Sequence, residues 1–338
     1  MNLQLSSSPL VSVVIPVYNG EMHISVCMDS ILCQSFSSFE AIFVDDGSVD
    51  NSFRILSERA SFDRRMKVIR QENMGVTCAR RNGVKHAGGK YICFVDCDDV
   101  LEKDAIKKMM YTAEKKQNGD LIICDFQKFN NDGKILYKRK FKNEKKALIQ
   151  SVAPWAKLYR KDFLEKKELT FRNVPFGEDV LFTTDLYLAN PKVFLCHYIG
   201  YSWRENLQST SHTELRGFPL ETVEKAKEYF KYLDKKYSHC SQKLMYFKFK
   251  YFVWYLLQSG RDVQKESMKL EYNKAFSYLH NEKEWNEFHC NKIWGIQGER
   301  MIVKIVLVFI RILEEMHISG KFFAFYAQSF LGNFWPSL

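Results

Sequence analysis

The sequence predicts an α/β protein with a doubly wound, mostly parallel sheet, flanked by helices and followed by a helical C-terminal extension. Three observations lead to this prediction. Short apolar runs alternate with amphipathic helical patterns over the first 125 residues, and such alternation is typical of parallel βαβ units. Polar residues directly follow several of the apolar runs, as they do at the carboxyl edge of a ligand-binding parallel sheet. From about residue 216 onward the pattern is helical.

Five apolar runs are predicted to be strands, because each is short and is bounded by turn residues. In chain order they are Leu10–Val17, Glu40–Val44, Met66–Ile69, Tyr91–Val95 and Leu121–Cys124. The predicted helices run from Ile24 to Leu32, after a cap at Asp50, from Gly75 to Ala87 and from Ala105 to Lys116. Residues 126–150 are predicted to form a charged hairpin or loop, and residues 151–215 short strands with one helix after Gly177.

The composition is that of an ordinary folded protein. Its 338 residues suffice for one large domain and an extension, with 46% apolar and 27% charged residues. The nine cysteines form no C-x-x-C pair, and most lie in apolar runs, which indicates a reducing compartment. The N-terminus has no basic region before its first apolar run. We therefore expect a cytoplasmic protein, not a secreted one.

Positive charge is concentrated in one part of the chain. The net charge is +10, and residues 102–172 hold 19 Lys and Arg against 10 Asp and Glu. A solvated lysine-rich face is the ordinary explanation of such a run. Attraction to anionic substrates or to anionic lipid is the alternative. No aromatic and basic signature accompanies the lysines, so we expect no nucleic-acid partner.

Three carboxylates directly follow the predicted strand Tyr91–Val95, in the segment Asp96-Cys97-Asp98-Asp99. Charges this close repel each other unless a cation lies among them. Oxygen ligands suit Mg²⁺ or Mn²⁺, which commonly also holds substrate phosphates. An isolated D-x-D is weak evidence, and its meaning here depends on the motifs upstream.

Two further motifs follow the first two predicted strands, at the same sheet edge. They are Pro16-Val17-Tyr18-Asn19 and Asp45-Asp46-Gly47-Ser48. A tyrosine there can stack on a base, and an aspartate can accept a hydrogen bond from a base N–H. The second motif has a simpler alternative, a plain turn with helix capping.

The helix that begins at Gly75 is a predicted anion site. Its N-terminal amides and dipole favour negative charge. Arg80, one and a half turns further on, could bind a phosphate through two hydrogen bonds. Alternatively, Arg80 pairs with a neighbouring acid.

Taken together and in this order, the motifs resemble those of the family 2 glycosyltransferases, inverting enzymes of GT-A fold. Gly177-Glu178-Asp179 is similar to a further signature of the family, as is Trp203-Arg204 followed by Ser209 and Ser211. The resemblance covers residues 9 to about 212. It implies a GT-A domain over residues 1–215, with a nucleotide-binding half (1–125) and an acceptor half (126–215), and a helical region over residues 216–338.

The resemblance also implies roles on the donor side. Pro16, Tyr18 and Asp46 would belong to the pocket for the uracil of a UDP-sugar, with Gly75 and Arg80 near the nucleotide. Asp98 would ligate Mn²⁺ or Mg²⁺, and Asp96 would contact the ribose or the metal-bound phosphate. Arg204 and Ser209 or Ser211 would close over the diphosphate. One departure from the family is that Arg81 stands where members often have Asn, and Asn82 follows it.

On the acceptor side, the resemblance makes Asp179 the catalytic base. A base opposite the leaving group removes the proton of the attacking hydroxyl, and a metal neutralises the departing diphosphate. One in-line attack inverts the anomeric carbon without a covalent intermediate. Glu178 would fix the helix start or the acceptor, although both acids could simply be N-terminal helix charges. Trp155 and Lys157 are weaker acceptor candidates, since a buried Trp is an equal alternative.

The C-terminal segment has an amphipathic character. Met301–Leu313 is too short to span a bilayer. Arg300, Lys304, Arg311 and Glu315 are predicted to share one helical stripe beside a broad apolar face, and residues 321–335 are rich in Phe. This pattern suits the membrane interface. Packing on the main domain or on a second subunit, as an oligomer, is the alternative.

The sequence as a whole therefore predicts a metal-dependent inverting glycosyltransferase. It would move a hexosyl or N-acetylhexosaminyl group from a UDP-sugar to a glycan or lipid-linked acceptor, for capsule, exopolysaccharide or lipo-oligosaccharide. We expect it in the cytoplasm, with peripheral contact to the inner membrane. The main alternative is a catalytically silent nucleotide-sugar-binding assembly protein. A nucleotidyltransferase would need a Gly-rich basic phosphate loop, which Pro16-Val17-Tyr18-Asn19-Gly20 does not provide.

Overall fold

A computed structural model describes residues 8–116, 119–206 and 217–327. The chain forms two compact units. The first consists of Met1–Asn173 and Ala189–Asn206, and the second of Val174–Leu188 and Leu207–Leu338. The segment that contains Glu178 and Asp179 thus groups with the helical unit. The division near residue 215 that the sequence predicts remains a proposal.

The first unit is built on one nine-stranded sheet. Its strands are β1 (Val11–Val17), β2 (Phe39–Asp46), β3 (Met66–Gln71), β4 (Tyr91–Phe94), β5 (Val100–Leu101), β6 (Leu121–Phe129), β7 (Ile135–Arg139), β8 (Lys157–Arg160) and β9 (Val193–Arg204). They lie in the order β3-β2-β1-β4-β8-β6-β9-β5, and β7 pairs with β6. The α/β prediction is confirmed.

The sheet is parallel in its first half and mixed in its second. Strands β1 to β4 are mutually parallel, whereas β8 is antiparallel to both β4 and β6. Strands β1 and β2 are buried along their whole length, as expected for strands covered on both faces. Because β1 and β2 run in register from Val11 and Phe39 to Val17 and Asp45, their carboxyl ends meet at one edge.

Six helices lie in the described part of this unit. They are α1 (Ile24–Leu32), α2 (Ser52–Ala60), α3 (Val76–Lys85), α4 (Ala105–Lys115), α5 (Glu144–Gln150) and α6 (Lys161–Lys166). Helix α1 turns Ile24, Cys27, Met28 and Ile31 into the core, as the apolar spacing predicts. Asp50, the predicted cap, accepts a hydrogen bond from the backbone N–H of Ser52, the first residue of α2 (2.9 Å).

The second unit is helical throughout its described residues. Its helices are α7 (Glu178–Leu188), α8 (Thr222–Lys236), α9 (Ser241–Ser259), α10 (Lys265–His280), α11 (Cys290–Gly295), α12 (Met301–Glu315) and α13 (Ser319–Tyr326), with 3₁₀ turns at Ser238–Cys240 and Trp285–Glu287. Across the described ranges, no helix is long and apolar enough to cross a membrane.

Helix α9 is the centre of the second unit, and buried ion pairs attach its neighbours to it. The Lys248 ammonium contacts Asp234 of α8 (2.8 Å) and Glu282 (2.5 Å). Lys250 pairs with the buried Glu299 at 2.5 Å. Because removing one partner of such a pair strands a buried charge, these contacts make the packing of α9 specific.

The predicted charged stripe of α12 is wrong at one position. Arg311 is buried, and its Nε donates to the Phe288 carbonyl oxygen (2.7 Å). Its guanidinium lies over the Trp285 ring, 4.5 Å from the centroid. Helical periodicity places Arg311 inside the predicted stripe, between Arg300 and Lys304 around the helix axis, and only its tertiary neighbours decide that it turns inward.

Candidate functional site

The candidate site lies at the carboxyl edge of β1, β2 and β4 in the first unit. The loop after β1 and the loop after β2 are tied together by hydrogen bonds. Ser48 Oγ accepts from the Asn19 backbone N–H (3.0 Å), and Asn19 Oδ1 accepts from the Val49 N–H (3.0 Å). Ser52 Oγ accepts from the Gly20 N–H (2.8 Å). These bonds bring the first two sequence motifs together.

Tyr18 projects from this loop pair and is 50% exposed. An exposed ring beside a sheet edge can stack on a flat base, as the sequence predicts. Pro16, by contrast, pairs with Val44 inside the sheet. It shapes the end of β1, and its side chain carries no polar atom.

Asp46 holds the chain before α3. Its Oδ1 accepts from Gln71 Nε2 (2.8 Å) and from the Met74 N–H (2.9 Å), and its Oδ2 accepts from the Gly75 N–H (2.8 Å). Gly75, at φ +86°, directly precedes α3. Asp46 therefore already uses both carboxylate oxygens within the protein, and its predicted contact with uracil would have to share them.

Asp45, which the sequence analysis did not single out as a ligand contact, has hydrogen-bonding capacity left. It is fully buried, and neither carboxylate oxygen receives a hydrogen bond from a residue of the described ranges. Arg70 Nε lies 3.3 Å from Oδ2 as an ion pair. Strand alternation points Asp45 and Asp46 to opposite faces of β2. Sequence alone could not show which of the two is already bonded.

Arg80 pairs with the D-x-D segment. Its Nη2 donates to Asp96 Oδ1 (3.0 Å), and its guanidinium lies 5.2 Å from the centroid of the Phe171 ring. The side chain is buried. The alternative that Arg80 pairs with a neighbouring acid is thus what the structure shows, but the acid is itself a predicted site residue. Arg80 positions Asp96 and adds positive charge beside it.

The departure at Arg81 and Asn82 has a structural counterpart. Asn82 Nδ2 donates to Gln71 Oε1 (2.7 Å), and Gln71 in turn donates to Asp46. Arg81 turns to Cys78 Sγ (3.0 Å). Asn82 therefore supports the carboxylate of Asp46 through Gln71.

Asp98 and Asp99 differ in their surroundings. Tyr201 Oη donates to Asp99 Oδ2 (2.6 Å) and the Arg204 N–H to Asp99 Oδ1 (2.7 Å). Asp98 Oδ2 accepts a longer hydrogen bond, from Asn206 Nδ2 (3.3 Å). Asp99 is thus a structural acid, and Asp98 is the better candidate ligand.

The electrostatics of this segment favour a cation. Burial, and then the charge of Asp96, raises the pKa of Asp98. Burial, followed by the charges of Asp98 and Asp96, raises the pKa of Asp99 well above its ordinary value. A divalent ion would relieve this repulsion.

The carboxylates present fit Mg²⁺ or Mn²⁺. Within residues 8–116, 119–206 and 217–327, no group of three or more His, Cys, Asp or Glu side chains is arranged to hold a metal by itself. Mg²⁺ sites commonly use one or two carboxylates and complete their octahedron with substrate phosphate and water. Asp96 and Asp98 could supply such a pair.

Arg204 ends β9 beside these acids. Its Nε donates to the Asp98 carbonyl oxygen (2.8 Å), and its guanidinium lies 4.7 Å from the centroid of the Phe129 ring. His23, a residue missed at the sequence level, shares this environment. Burial, then the positive charge of Arg204, lowers the pKa of His23, while Asp98 opposes the shift. The signal in the sequence that could have identified His23 is its position three residues after Gly20.

Trp155 and Lys157 are buried in the first unit. The Trp155 ring stacks on Tyr201 at 4.6 Å, with the planes 2° apart. The Lys157 ammonium donates to the Ser151 carbonyl oxygen (2.7 Å) and to that of Ala153. This burial argues against the acceptor contacts suggested for both, and it favours the buried-Trp alternative.

Glu178 and Asp179 begin α7 of the second unit. Asp179 Oδ1 accepts from the Val180 N–H (2.7 Å), as an acid at a helix N-terminus does. The structure brings these two acids together at the helix start. Ser209 and Ser211 lie outside the described residues.

Comparisons with known proteins agree with these motifs. Residues 12–176 match the family "Glycosyl transferase family 2". "Uncharacterized glycosyltransferase EpsJ" of Bacillus subtilis is 33% identical over 216 residues, which cover 60% of this chain and 62% of the relative. "Putative glycosyltransferase EpsH" of the same organism is 37% identical over 206 residues, or 57% of this chain and 58% of the relative. The chain thus spans about six-tenths of the length of these relatives.

Solved structures share the fold. S. aureus TarS 1-349 in complex with UDP-GlcNAc superposes with a TM-score of 0.60 at 20% identity, over 96% of this chain and 92% of that one. A second crystal structure of S. aureus TarS 1-349 gives a TM-score of 0.57 at 19% identity, over 96% of this chain and 91% of that one. The GT-A fold and the helical C-terminal region expected from the sequence are confirmed.

Proposed function

Residues 12–176 of this chain match glycosyl transferase family 2, and from that match we propose that the protein transfers a sugar from a nucleotide-sugar to a hydroxyl of a glycan or lipid-linked glycan. The observation that carries this proposal is the cluster of Arg80, Asp96, Asp98 and Arg204 at the carboxyl edge of the sheet. We propose UDP as the nucleotide, because the similarly folded TarS binds UDP-GlcNAc. The sugar would be a hexosyl or N-acetylhexosaminyl group.

In the proposed mechanism, Asp98 and Asp96 would hold Mn²⁺ or Mg²⁺. The ion, when bound, neutralises the charge that develops on the departing diphosphate. Arg80 orients Asp96, and Arg204 adds positive charge beside Asp98. Tyr18 offers its exposed ring to the base.

Asp179 is the proposed general base. The acceptor oxygen forms a bond to the anomeric carbon, the carbon–phosphate oxygen bond breaks, and its electron pair leaves with UDP. Asp179 takes the hydroxyl proton, so atoms and charge balance. One in-line displacement inverts the anomeric centre. The product would be a bacterial surface glycan of capsule, exopolysaccharide or lipo-oligosaccharide type, made on the cytoplasmic side.

A thermal-shift panel tests the donor site. Wild type and Asp98→Ala are heated with UDP and with other nucleotides, each with and without Mn²⁺. A ligand that binds the native state raises the melting temperature. We expect a Mn²⁺-dependent shift with UDP that Asp98→Ala loses and that Asp132→Ala, a control at an exposed acid, keeps. No shift of the wild type with any nucleotide would overturn the proposal.

Turnover separates catalysis from silent binding. Asp179→Asn is expected to keep the UDP shift and to lose at least about 100-fold in kcat, the usual contribution of a general base. Glu178→Gln is the matched control and should lose far less. If the wild type binds UDP-sugars but transfers none to any acceptor, the protein is the assembly factor considered as the alternative.

We also propose that the second unit contacts the cytoplasmic membrane through an apolar stripe on α12. Six large apolar side chains on one side of this helix are each more than 40% exposed: Met301, Ile302, Ile305, Phe309, Ile312 and Met316. The opposite side of α12 is buried by Val303, Leu307 and Ile310. Both faces of the helix are thus apolar.

The surroundings of this stripe favour an anionic bilayer as the occupant. The helices directly before and after α12 carry the exposed Lys292 and Lys321, and the Lys304 ammonium donates to the Trp294 carbonyl oxygen (2.7 Å). Trp294 and Phe325 add exposed aromatic rings. Cations and aromatic side chains around an apolar helix face are typical of interfacial helices. A second copy of the chain is the competing occupant.

A further inference from the structure

The hairpin formed by β6 and β7 carries uncompensated positive charge. Residues 132–146 contain seven Lys and Arg but only two acids. Strand β7 is exposed along nearly all its length, and its one partner among the described strands is β6. No acid of the described ranges forms an ion pair with the following exposed lysines: Lys134, Lys138, Lys140, Lys142 and Lys146.

Three of these lysines are spread along the strand. Lys138 in β7 and Lys140 just after it lie on the same side, because side chains alternate along a strand, and Lys134 directly precedes β7, so that the three cover roughly 20 Å. Arg139 lies on the other side, where its side chain already contacts other residues of the protein. Its guanidinium lies 5.6 Å from the centroid of the Phe141 ring and donates to Gln150 Oε1. We call Lys134, Lys138 and Lys140 the lysine row.

The turn end of the hairpin adjoins the candidate site. Phe129, the last residue of β6, lies under the Arg204 guanidinium at 4.7 Å, and Arg204 Nε bonds to the Asp98 carbonyl oxygen. Lys128 ties the same strand end to Glu205 (2.8 Å) and lies over the Trp203 ring at 4.7 Å. A polymer lying along the lysine row would therefore lead toward Asp98.

We propose that the lysine row binds a linear anionic glycan, one that carries phosphate or carboxylate groups along its chain, as the acceptor of the transfer. The role of this glycan as acceptor rests on the proposed function, whereas its binding to the lysine row does not. A linear row of cations matches a linear polyanion, and binding releases the counterions of both partners. Tyr137, 45% exposed on the opposite face of β7, leaves the charged face to the polyanion.

The test uses the full chain and linear polyphosphate as the probe, with neutral dextran as the matched uncharged polymer. Dissociation constants are measured by titration calorimetry from 50 to 200 mM NaCl. The variant Lys134→Gln/Lys138→Gln/Lys140→Gln removes the row. The control Lys265→Gln/Lys269→Gln/Lys283→Gln removes the same charge from exposed positions of the helical unit.

We expect the row variant to bind polyphosphate at least about tenfold more weakly and the control to stay within about twofold. The slope of log K against log salt should fall by about 2 in the row variant, because each lost contact removes about 0.7 of slope on a single strand. Dextran should bind neither protein measurably.

Three outcomes would overturn the proposal. Equal weakening of both variants would mean general charge attraction, and binding of dextran as tight as polyphosphate would exclude charge recognition. If the row variant loses binding to phosphatidylglycerol vesicles but keeps its binding to polyphosphate, the row is assigned to a bilayer. The thermal shift with UDP is also measured on the row variant and should be unchanged. This measurement distinguishes a failure of the glycan-binding proposal from a failure of the proposed donor site.

Discussion

At the scale of single residues, the acids of the site divide by what already bonds to them. Asp46 and Asp99 accept hydrogen bonds on both oxygens from the protein itself. They hold the segment before α3 and the end of β9 in place. Asp98 is less fully bonded, and its raised pKa is the kind of perturbation that clusters at functional sites. Neighbouring aspartates of one segment thus have different roles: Asp99 stabilises the fold, and Asp98 is the candidate ligand.

Glu40 illustrates a purely architectural acid. Buried in β2, it accepts from Ser12 Oγ (2.6 Å) and the Gly88 N–H (2.7 Å), and it pairs with Lys67 at 2.5 Å. Burial alone would raise the pKa of Glu40, but the hydrogen bonds from Lys67, Ser12 and Gly88 outweigh it, and the pKa is lowered.

Glu40→Gln is predicted to lower the free energy of unfolding at pH 7 by about 2 kcal/mol, since it removes a charged acceptor from buried donors. A lowered folded pKa gives stability that is present above the unfolded pKa, about 4.3, and is lost as pH falls through the folded value. The free energies of unfolding of wild type and Glu40→Gln, measured with urea, should therefore converge only below about pH 4. A difference that stays constant from pH 7 to pH 3 contradicts this, and the exposed Glu114→Gln should change little at any pH.

At the scale of elements, the start of α7 depends on one glycine. Gly177 has φ +68°, a left-handed conformation, and a Cβ there would lie 2.7 Å from Trp254 Cζ3. Tyr251 Oη donates to the Phe176 carbonyl oxygen (2.8 Å), which fixes the preceding residue. The positions of Glu178 and Asp179 therefore follow from a backbone that other residues would strain.

Gly177→Ala is predicted to lower the free energy of unfolding by about 3 kcal/mol, from left-handed strain and overpacking together. Gly217→Ala is the matched control in the same unit. It also has a positive φ, +83°, but a Cβ there would meet nothing within 4 Å, so it should lose only about 1 kcal/mol. Chemical denaturation measures both. Equal losses would show that the Trp254 contact has no effect.

At the scale of the whole molecule, charge and apolar surface are separated between the two units. The first unit carries the lysine row, and the second carries the stripe on α12. If the stripe docks on a bilayer, the proposed transfer would take place where a lipid-linked acceptor lies.

The double variant Ile305→Glu/Phe309→Glu is predicted to reduce the fraction of protein that sediments with phosphatidylglycerol vesicles at least about tenfold, because charge on the apolar face cannot enter the interface. Val49→Glu/Phe62→Glu places the same charges at apolar residues that are 86% and 87% exposed elsewhere, and it should sediment like the wild type. Size-exclusion chromatography is run in parallel. If the wild type does not bind vesicles but forms a dimer, and Ile305→Glu/Phe309→Glu dissociates that dimer, the stripe is an interface with a second copy of the chain.

The sequence by itself determined the parallel half of the sheet and the position of the motifs along it. Alternating apolar runs and helical spacing are local signals, and the loops after β1, β2 and β4 must meet once those strands are parallel. The same local patterns predicted α1, α3 and α4 to within a few residues.

The tertiary structure alone decided which polar groups are already satisfied. Asp99 meets Tyr201, 102 positions along the chain, and Arg80 meets Asp96. Trp155, Lys157 and Arg311 turn into the interior. Periodicity reports only which side of an element is apolar. Which distant segment then covers that side, and which carboxylate it bonds, follows from packing between residues far apart in sequence.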